Sequence, residues 1–255
     1  MAIDKRAFDV ARRLARRRSA PALHPTGLVC AGVLDVPGTG GGARWGVPFL
    51  DRAGEYAVIL RWSRAAGLPQ RWPDGLGLAL RVRDAGGPDA PLDLLLTSSG
   101  TGRLLRHLPL PRRDALGGPY STLLAYRTGD RERVIAAFPA REGRTPVPGD
   151  PDALRRALDR GPLRLRLCAA APHEPWRTFA TLTVRGAEPH PRAAVPAYDP
   201  YLHALPGLRP THRLRDLRTA AYSGSRHGRD AVLADGHDPA SRGQTPGRRD
   251  RPGAP

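Results

Sequence analysis

Six short apolar runs, each cut off by glycine, proline or aspartate, constrain this chain more than any other feature. They cover Gly27–Val36, Tyr56–Trp62, Leu76–Val82, Leu92–Thr97, Leu163–Cys168 and Arg177–Val184, and none exceeds ten residues. Runs of this length, rich in branched side chains and spaced by turn formers, are strands of an antiparallel sandwich or barrel. Helical spacing appears elsewhere. Ile3, Ala7, Val10, Ala11 and Leu14 make an amphipathic helix over 3–18, and further helices are expected at Tyr120–Tyr126, Asp152–Asp159 and Thr211–Arg229. The expectation is therefore an α+β chain: one domain over 20–230, built on an antiparallel barrel with flanking helices. Residues 1–19 form the leading helix. Residues 231–255, almost without apolar content, form a disordered tail.

The charge is extreme but diffuse. A formal net charge of +17 rests almost wholly on arginine, since Lys5 is the only lysine. Glycine and proline are plentiful too, at 29 and 28, and all three residues have GC-rich codons, so coding bias explains much of the composition. Nucleic-acid binding is disfavoured, because arginine is spread along the whole chain and aromatics make up only 5%. The run Arg12-Arg13 with Arg16-Arg17-Arg18 reads as a solvated helix face. Cys30 and Cys168 are far apart in apolar stretches, so they are expected as buried thiols in a reducing cytoplasm. The amino terminus has no apolar signal core, and no window is apolar enough to span a membrane. His107, His173, His190 and His203 show no metal spacing. Gly38-Thr-Gly-Gly-Gly42 lacks the lysine of a phosphate loop, and Ser98-Ser99-Gly100 lacks a nucleophile elbow.

The last expected helix carries the chemistry. Arg218, Tyr222 and Arg229 fall on one stripe at i, i+4 and i+11. A guanidinium one turn before a phenol favours the phenolate, which is a hard, strongly donating ligand for ferric iron.

Around that helix the sequence resembles the haem catalase superfamily. The family's Asp-Pro … Pro-Gly-Leu-x-Pro approach to its ligand helix is matched by Tyr198-Asp199-Pro200 and Pro206-Gly207-Leu208-Arg209-Pro210, followed by Arg218, Tyr222 and Arg229. In the amino-terminal half, His24-Pro-Thr-Gly27 with Gly32 resembles the distal-histidine segment. Arg61-Trp62-Ser63 and Asp74-Gly75-Leu76-Gly77-Leu78-Ala79 resemble the two signatures that follow, and His24 and Ser63 are 39 residues apart, as in the family. The resemblance covers roughly residues 20–230 in three ordered blocks.

It implies haem b as cofactor, Tyr222 as the iron's protein ligand and Arg218 as the partner of its charge. Arg61 and Arg229 become the guanidiniums on the haem propionates, a role for which the planar fork is suited. His24 becomes the distal acid/base and Ser63 the hydroxyl that bonds its ring. Two departures bear on activity. Thr97, in Asp93-Leu-Leu-Leu-Thr97, stands where catalases have a distal asparagine, and Pro21 stands where an arginine precedes the histidine. The chain is also about half as long as a full catalase, without its extra helical domain and wrapping arms. The expected function is thus a haem-dependent peroxidase-like oxidoreductase, acting on hydrogen peroxide or organic hydroperoxides with weak or no true catalase activity. The alternatives are a haem enzyme that rearranges hydroperoxides, as catalase-like allene oxide synthases do, and a non-catalytic haem-binding protein. The expected partners are a peroxide or another small organic molecule and neither membrane nor nucleic acid; a homo-oligomer is compatible with the resemblance.

Overall fold

Ten strands arrange themselves so that the main ladder has no free edge. The computed structural model describes residues 26–65, 72–140, 145–187 and 196–211. The strands are β1 (Thr26–Pro37), β2 (Ala53–Arg64), β3 (Leu76–Val82), β4 (Leu92–Ser98), β5 (Tyr120–Ser121), β6 (Tyr126–Thr128), β7 (Arg131–Pro139), β8 (Leu163–Ala170), β9 (Arg177–Ala187) and β10 (Leu208–Pro210). Antiparallel pairing runs β1-β2-β3-β4-β5-β7-β8-β9 and returns to β1, closing an eight-stranded barrel. Closure satisfies every edge, which an open sheet cannot do. β6 and β10 form a side ribbon on the first half of β7, with Leu208 opposite Thr128 and Tyr126 opposite Arg133.

Alternation fills the barrel. Leu34, Leu60, Trp62, Leu78, Leu80, Leu94, Leu165, Leu167 and Leu182 point inward and are almost wholly buried. Cys30 and Cys168 are buried free thiols.

Helix is scarce, and this corrects the α+β expectation: the described chain is a mainly-β barrel with few helices. α1 (Pro48–Asp51) is one turn, held by the Asp51 carboxylate accepting from the N–H groups of Trp45, Gly46 and Val47. α2 (Pro151–Asp159) is the helix expected at 152–159. Asp150 caps it, accepting from the Ala153 N–H at 2.9 Å, and Ala153, Leu154, Ala157 and Leu158 are buried in packing on β9 and β1. The helix expected at Tyr120–Tyr126 is instead β5, a turn with Leu123 at φ 59°, and the start of β6. The Ser121 hydroxyl accepts from the Leu123 N–H, and the Thr122 hydroxyl donates to the Leu124 carbonyl. These local bonds compete with a helical ladder. The expected helix over 3–18 and the tail over 231–255 lie outside the described residues. So does the helix expected from Thr211 onward, Thr211 itself excepted: its N–H and hydroxyl both donate to the Ala125 carbonyl. Among the described residues no helix is long and apolar enough to cross a membrane.

Candidate active site

The outward face of β1–β4 differs from the rest of the barrel. Register sets its side chains in rows across the four strands: Gly27, Ser63, Gly77 and Thr97; then Val29, Arg61, Ala79 and Leu95; then Ala31, Ile59, Arg81 and Asp93. At ordinary strand spacing these rows make a platform about 14 Å wide. Most of it is small or apolar and only half-buried. The outward face of β8 and β9 carries Arg164, Arg166, Thr181, Thr183 and Arg185, the polar dress expected beside water. An apolar outward face points to something that covers it.

Three expected site residues share this platform. Ser63 is buried, and its hydroxyl donates a long 3.5 Å bond to the Gly77 carbonyl. Thr97 ends the same row, with the side-chain-free Gly77 between the two hydroxyls. Arg61 lies two residues before Ser63 on the same face. Its guanidinium crosses Gly27 so closely that a Cβ there would stand 2.9 Å from the guanidinium carbon. A Cβ at Gly27, the glycine of the His24-Pro-Thr-Gly27 motif, would also meet the Trp62 carbonyl, so backbone and guanidinium together call for a glycine there. His24, Arg218, Tyr222 and Arg229 lie outside the described residues.

One side of the platform is covered by the segment 197–203, held by a buried carboxylate. Asp93 is fully buried and takes a two-pronged bond from Arg81, Nε to Oδ1 at 2.8 Å and Nη2 to Oδ2 at 2.7 Å. Asp93 Oδ2 also accepts the Asp199 N–H at 2.7 Å, and Arg81 Nη2 donates to the Ala197 carbonyl at 3.0 Å. His203 Nδ1 stands 2.8 Å from Asp93 Oδ2 and 2.9 Å from Arg81 Nη2. Protonated, that nitrogen donates to the carboxylate; bare, it accepts from the guanidinium. The hydrogen bond to Asp93 holds the Arg81 pKa above its ordinary value. Asp199 in turn uses Oδ1 to accept the N–H groups of Tyr201 and Leu202, which turns the chain sharply.

Tyr198 lies within this arrangement, its ring 5.6 Å from the Arg81 guanidinium carbon. Burial pushes its phenol pKa well up, and Asp93 adds to the shift against the opposing pull of Arg61 and Arg81. The phenol therefore keeps its proton.

Sequence reasoning did not single out Arg81, Tyr198 or His203 as functional. The Arg81–Asp93 pair had a signal, since consecutive antiparallel strands place those residues directly opposite. Its attachment to the 197–203 segment had none. Among the described residues no group of histidine, cysteine, aspartate or glutamate could hold a metal ion. A cavity of about 670 Å³ lies elsewhere, lined by Thr101, Gly118, Pro119, Phe138, Pro139, Ala140 and Arg166. It contains none of the expected site residues.

The fold has clear relatives among solved structures. Catalase A from Saccharomyces cerevisiae superposes with a TM-score of 0.60 at 10% identity, over 81% of this chain and 60% of its own. A fungal catalase gives 0.57 at 12% identity, over 81% and 58%, and a bacterial catalase 0.59 at 12%, over 91% and 64%. The chain spans about three fifths of the length of these catalases, and at such identities the likeness is one of fold. No protein-family model and no curated protein matches the sequence.

Proposed function

We propose that this chain is a haem-dependent oxidoreductase that consumes peroxides, acting as a peroxidase on hydrogen peroxide or organic hydroperoxides. The observation that carries the reading is the small, apolar outward face of β1–β4, which bears Arg61, Ser63 and Thr97 on a barrel shared with catalases. The described residues fit a flat, largely apolar group with acidic edges. Gly27, Ala31, Gly77 and Ala79 keep the platform low, and Arg61 supplies a cation at its margin. When bound, the haem supplies iron that exchanges electrons with the peroxide.

The chain's own part is binding and proton management. Arg61 and Arg229 would hold the haem's carboxylates, Tyr222 would supply the ligand to its iron, and Arg218 would keep that phenol ionised. His24 would take a proton from the peroxide and return it to the departing oxygen, with Ser63 orienting the imidazole. The hydroperoxide would be reduced to alcohol and water, with two electrons and two protons from an external donor. Thr97 offers one hydroxyl where an amide would offer a longer reach. It therefore holds a small peroxide less firmly, which favours peroxidase over disproportionation. Two buried free thiols suit a reducing cytoplasm.

The test is the absorption spectrum of purified protein reconstituted with haem, for wild type and Tyr222→Phe. A high-spin ferric tyrosinate spectrum that the substitution abolishes supports the ligand. His24→Ala should keep the haem and lose most peroxide-driven dye oxidation; unchanged turnover removes the distal assignment. Conversion of a fatty-acid hydroperoxide with no donor would instead favour rearrangement. A haem spectrum unmoved by peroxide would favour a non-catalytic binder.

A further inference from the structure

We propose that the loop over 99–109 docks on an anionic lipid surface, with Leu104, Leu105 and Leu108 entering the headgroup region and Arg103 meeting lipid phosphates.

The first observation is where exposed apolar side chains fall. Among the described residues five large hydrophobic side chains are exposed, and three of them lie within five residues: Leu104 at 80%, Leu105 at 48% and Leu108 at 51%. Exposed leucines scattered singly are ordinary, whereas a group on one loop marks a contact surface.

Rigidity is the second. The Leu110 N–H donates to the Ser98 carbonyl and the Ser98 hydroxyl to the Leu110 carbonyl, both at 2.7 Å, so the loop leaves β4 and returns to it at one residue. Inside it the Gly100 N–H donates to the Leu105 carbonyl at 3.1 Å, and a 3-10 turn spans Leu105–His107. Arg106 is buried and turned inward. Its guanidinium donates to the carbonyls of Gly102 and Ala171 and stands 4.5 Å from the centre of the Trp176 ring, while its own carbonyl accepts the Ser121 hydroxyl at 2.6 Å. The arginine occupies the inner side of the loop, and the leucines are held in water.

Charge is the third. From Leu94 to Arg113 the sequence has four arginines and no acid. Arg106 and Arg112 bond backbone carbonyls, whereas Arg103 is exposed next to Leu104, with the His173 ring and not a carboxylate at 3.5 Å. Apolar side chains edged by cations form an interfacial anchor for anionic lipid. Two copies meeting here would oppose like charges, which disfavours self-association through this loop. The contact is peripheral and needs no spanning segment; it departs from the expectation that no membrane is a partner. Ser98 directly follows Thr97, so the loop is rooted at the end of the candidate site. A hydroperoxide carried by a lipid is then the organic peroxide brought nearest, a consequence that alone rests on the peroxidase reading.

The experiment sediments the purified full chain with vesicles of phosphatidylcholine, or of equimolar phosphatidylcholine and phosphatidylglycerol. Wild type should bind the mixed vesicles and bind the neutral ones at least about tenfold more weakly. Leu104→Ser should lower affinity for mixed vesicles about tenfold, and Arg103→Gln about fivefold. Both side chains are exposed, so the thermal unfolding midpoints should hold. Leu202→Ser, an exposed leucine outside the loop, and Arg164→Gln, on β8, should leave binding unchanged. Leu104→Cys carrying an environment-sensitive dye should shift to the blue on mixed vesicles, since Cys30 and Cys168 are buried away from the label. Vesicle binding that Leu104→Ser and Arg103→Gln leave intact overturns the proposal, as does a dye whose emission does not move or a wild type that binds neither vesicle. Self-association without lipid that Leu104→Ser abolishes overturns it too, because a second copy is then the occupant. None of these outcomes involves haem, so they leave the peroxidase reading to its own test.

Discussion

Asp93 Oδ2 accepts a hydrogen bond from the backbone N–H of Asp199 at 2.7 Å, joining residues 106 positions apart. The bond ties β4, which ends at the candidate site, to the segment that leads into the Pro206-Gly207-Leu208 turn and β10. Asp199 belongs to a stretch through which the sequence resembles catalases, Asp93 to the stretch that ends at the departing Thr97, and neither shows in isolation what it is for. Together they explain each other: the buried carboxylate of one is the anchor of the other.

Asp93→Asn should therefore act at a distance. It leaves Arg81 without its carboxylate and weakens the acceptor for the Asp199 N–H. Breaking a buried pair from one side costs about 3 kcal/mol. We expect a loss of that size in urea unfolding, with faster amide exchange at Ala197–His203 than at the barrel strands. Unchanged exchange in that segment would show that the clip is not what holds it.

Ala79 lies between Arg61 and Leu95 at the middle of the platform, on the half-buried outward face. A bulky side chain there has room outside the core, so Ala79→Trp should shift stability by less than about 1 kcal/mol. The same side chain would stand where the proposed haem lies, and haemin affinity should fall at least tenfold in a Soret titration. Thr183→Trp, on the polar outward face of β9, should leave affinity unchanged. Equal effects from the two would remove the platform as the binding face.

Tyr120 gives a prediction free of any ligand. It is fully buried, its hydroxyl donates to the Ala115 carbonyl at 2.7 Å, and burial pushes its pKa far above the ordinary phenol value. The unfolded chain releases that proton near pH 10 while the folded chain keeps it. Stability is thus unaffected below pH 10 and falls above it, by up to about 1.4 kcal/mol per pH unit for this side chain. Tyr198 adds a loss of the same sign. Absorbance at 295 nm during alkaline titration should show these two of the six tyrosines ionising only as the protein unfolds. Ionisation of all six near pH 10 in still-folded protein would contradict their burial.

The parts that were legible in the sequence obeyed local rules. β1–β4, β8 and β9 occupy the six apolar runs, because turn formers bracket them and no other period fits. β7 escaped notice because Val134–Phe138 is an unbroken apolar and alanine-rich stretch that opens on charged Arg131-Glu132-Arg133. Arg133–Ala137 are buried on both faces of β7, so the stretch carries no period-two signal. Tyr120–Tyr126 has helical spacing but forms strand and turn, because seven residues hold too little periodicity to outweigh two hydroxyls bonding the backbone. At the site, Arg61, Ser63 and Thr97 came from motif spacing, and β2–β4 register sets them on one face. The Asp93 clip depended on a contact across more than a hundred residues, which no window could contain.

On the proposed peroxidase reading, Thr97 stands where catalases carry a distal asparagine, so it is the residue to change. It ends the row that begins at Gly27, about 10 Å from Ser63 across Gly77, and its side chain brings a single hydroxyl to that end of the row. Thr97→Asn returns a longer side chain with an N–H donor to that position without altering the inward face of β4. One added bond to a group that gains charge during O–O cleavage is worth about tenfold in rate. Oxygen release from hydrogen peroxide should rise by about that factor relative to donor oxidation, whereas turnover of a bulky organic hydroperoxide should hold or fall as the asparagine narrows the site. An oxygen electrode and a dye assay on the same preparation give both numbers. If the ratio does not move, Thr97 lies outside the reach of the peroxide, and the weaker hold attributed to its hydroxyl is wrong.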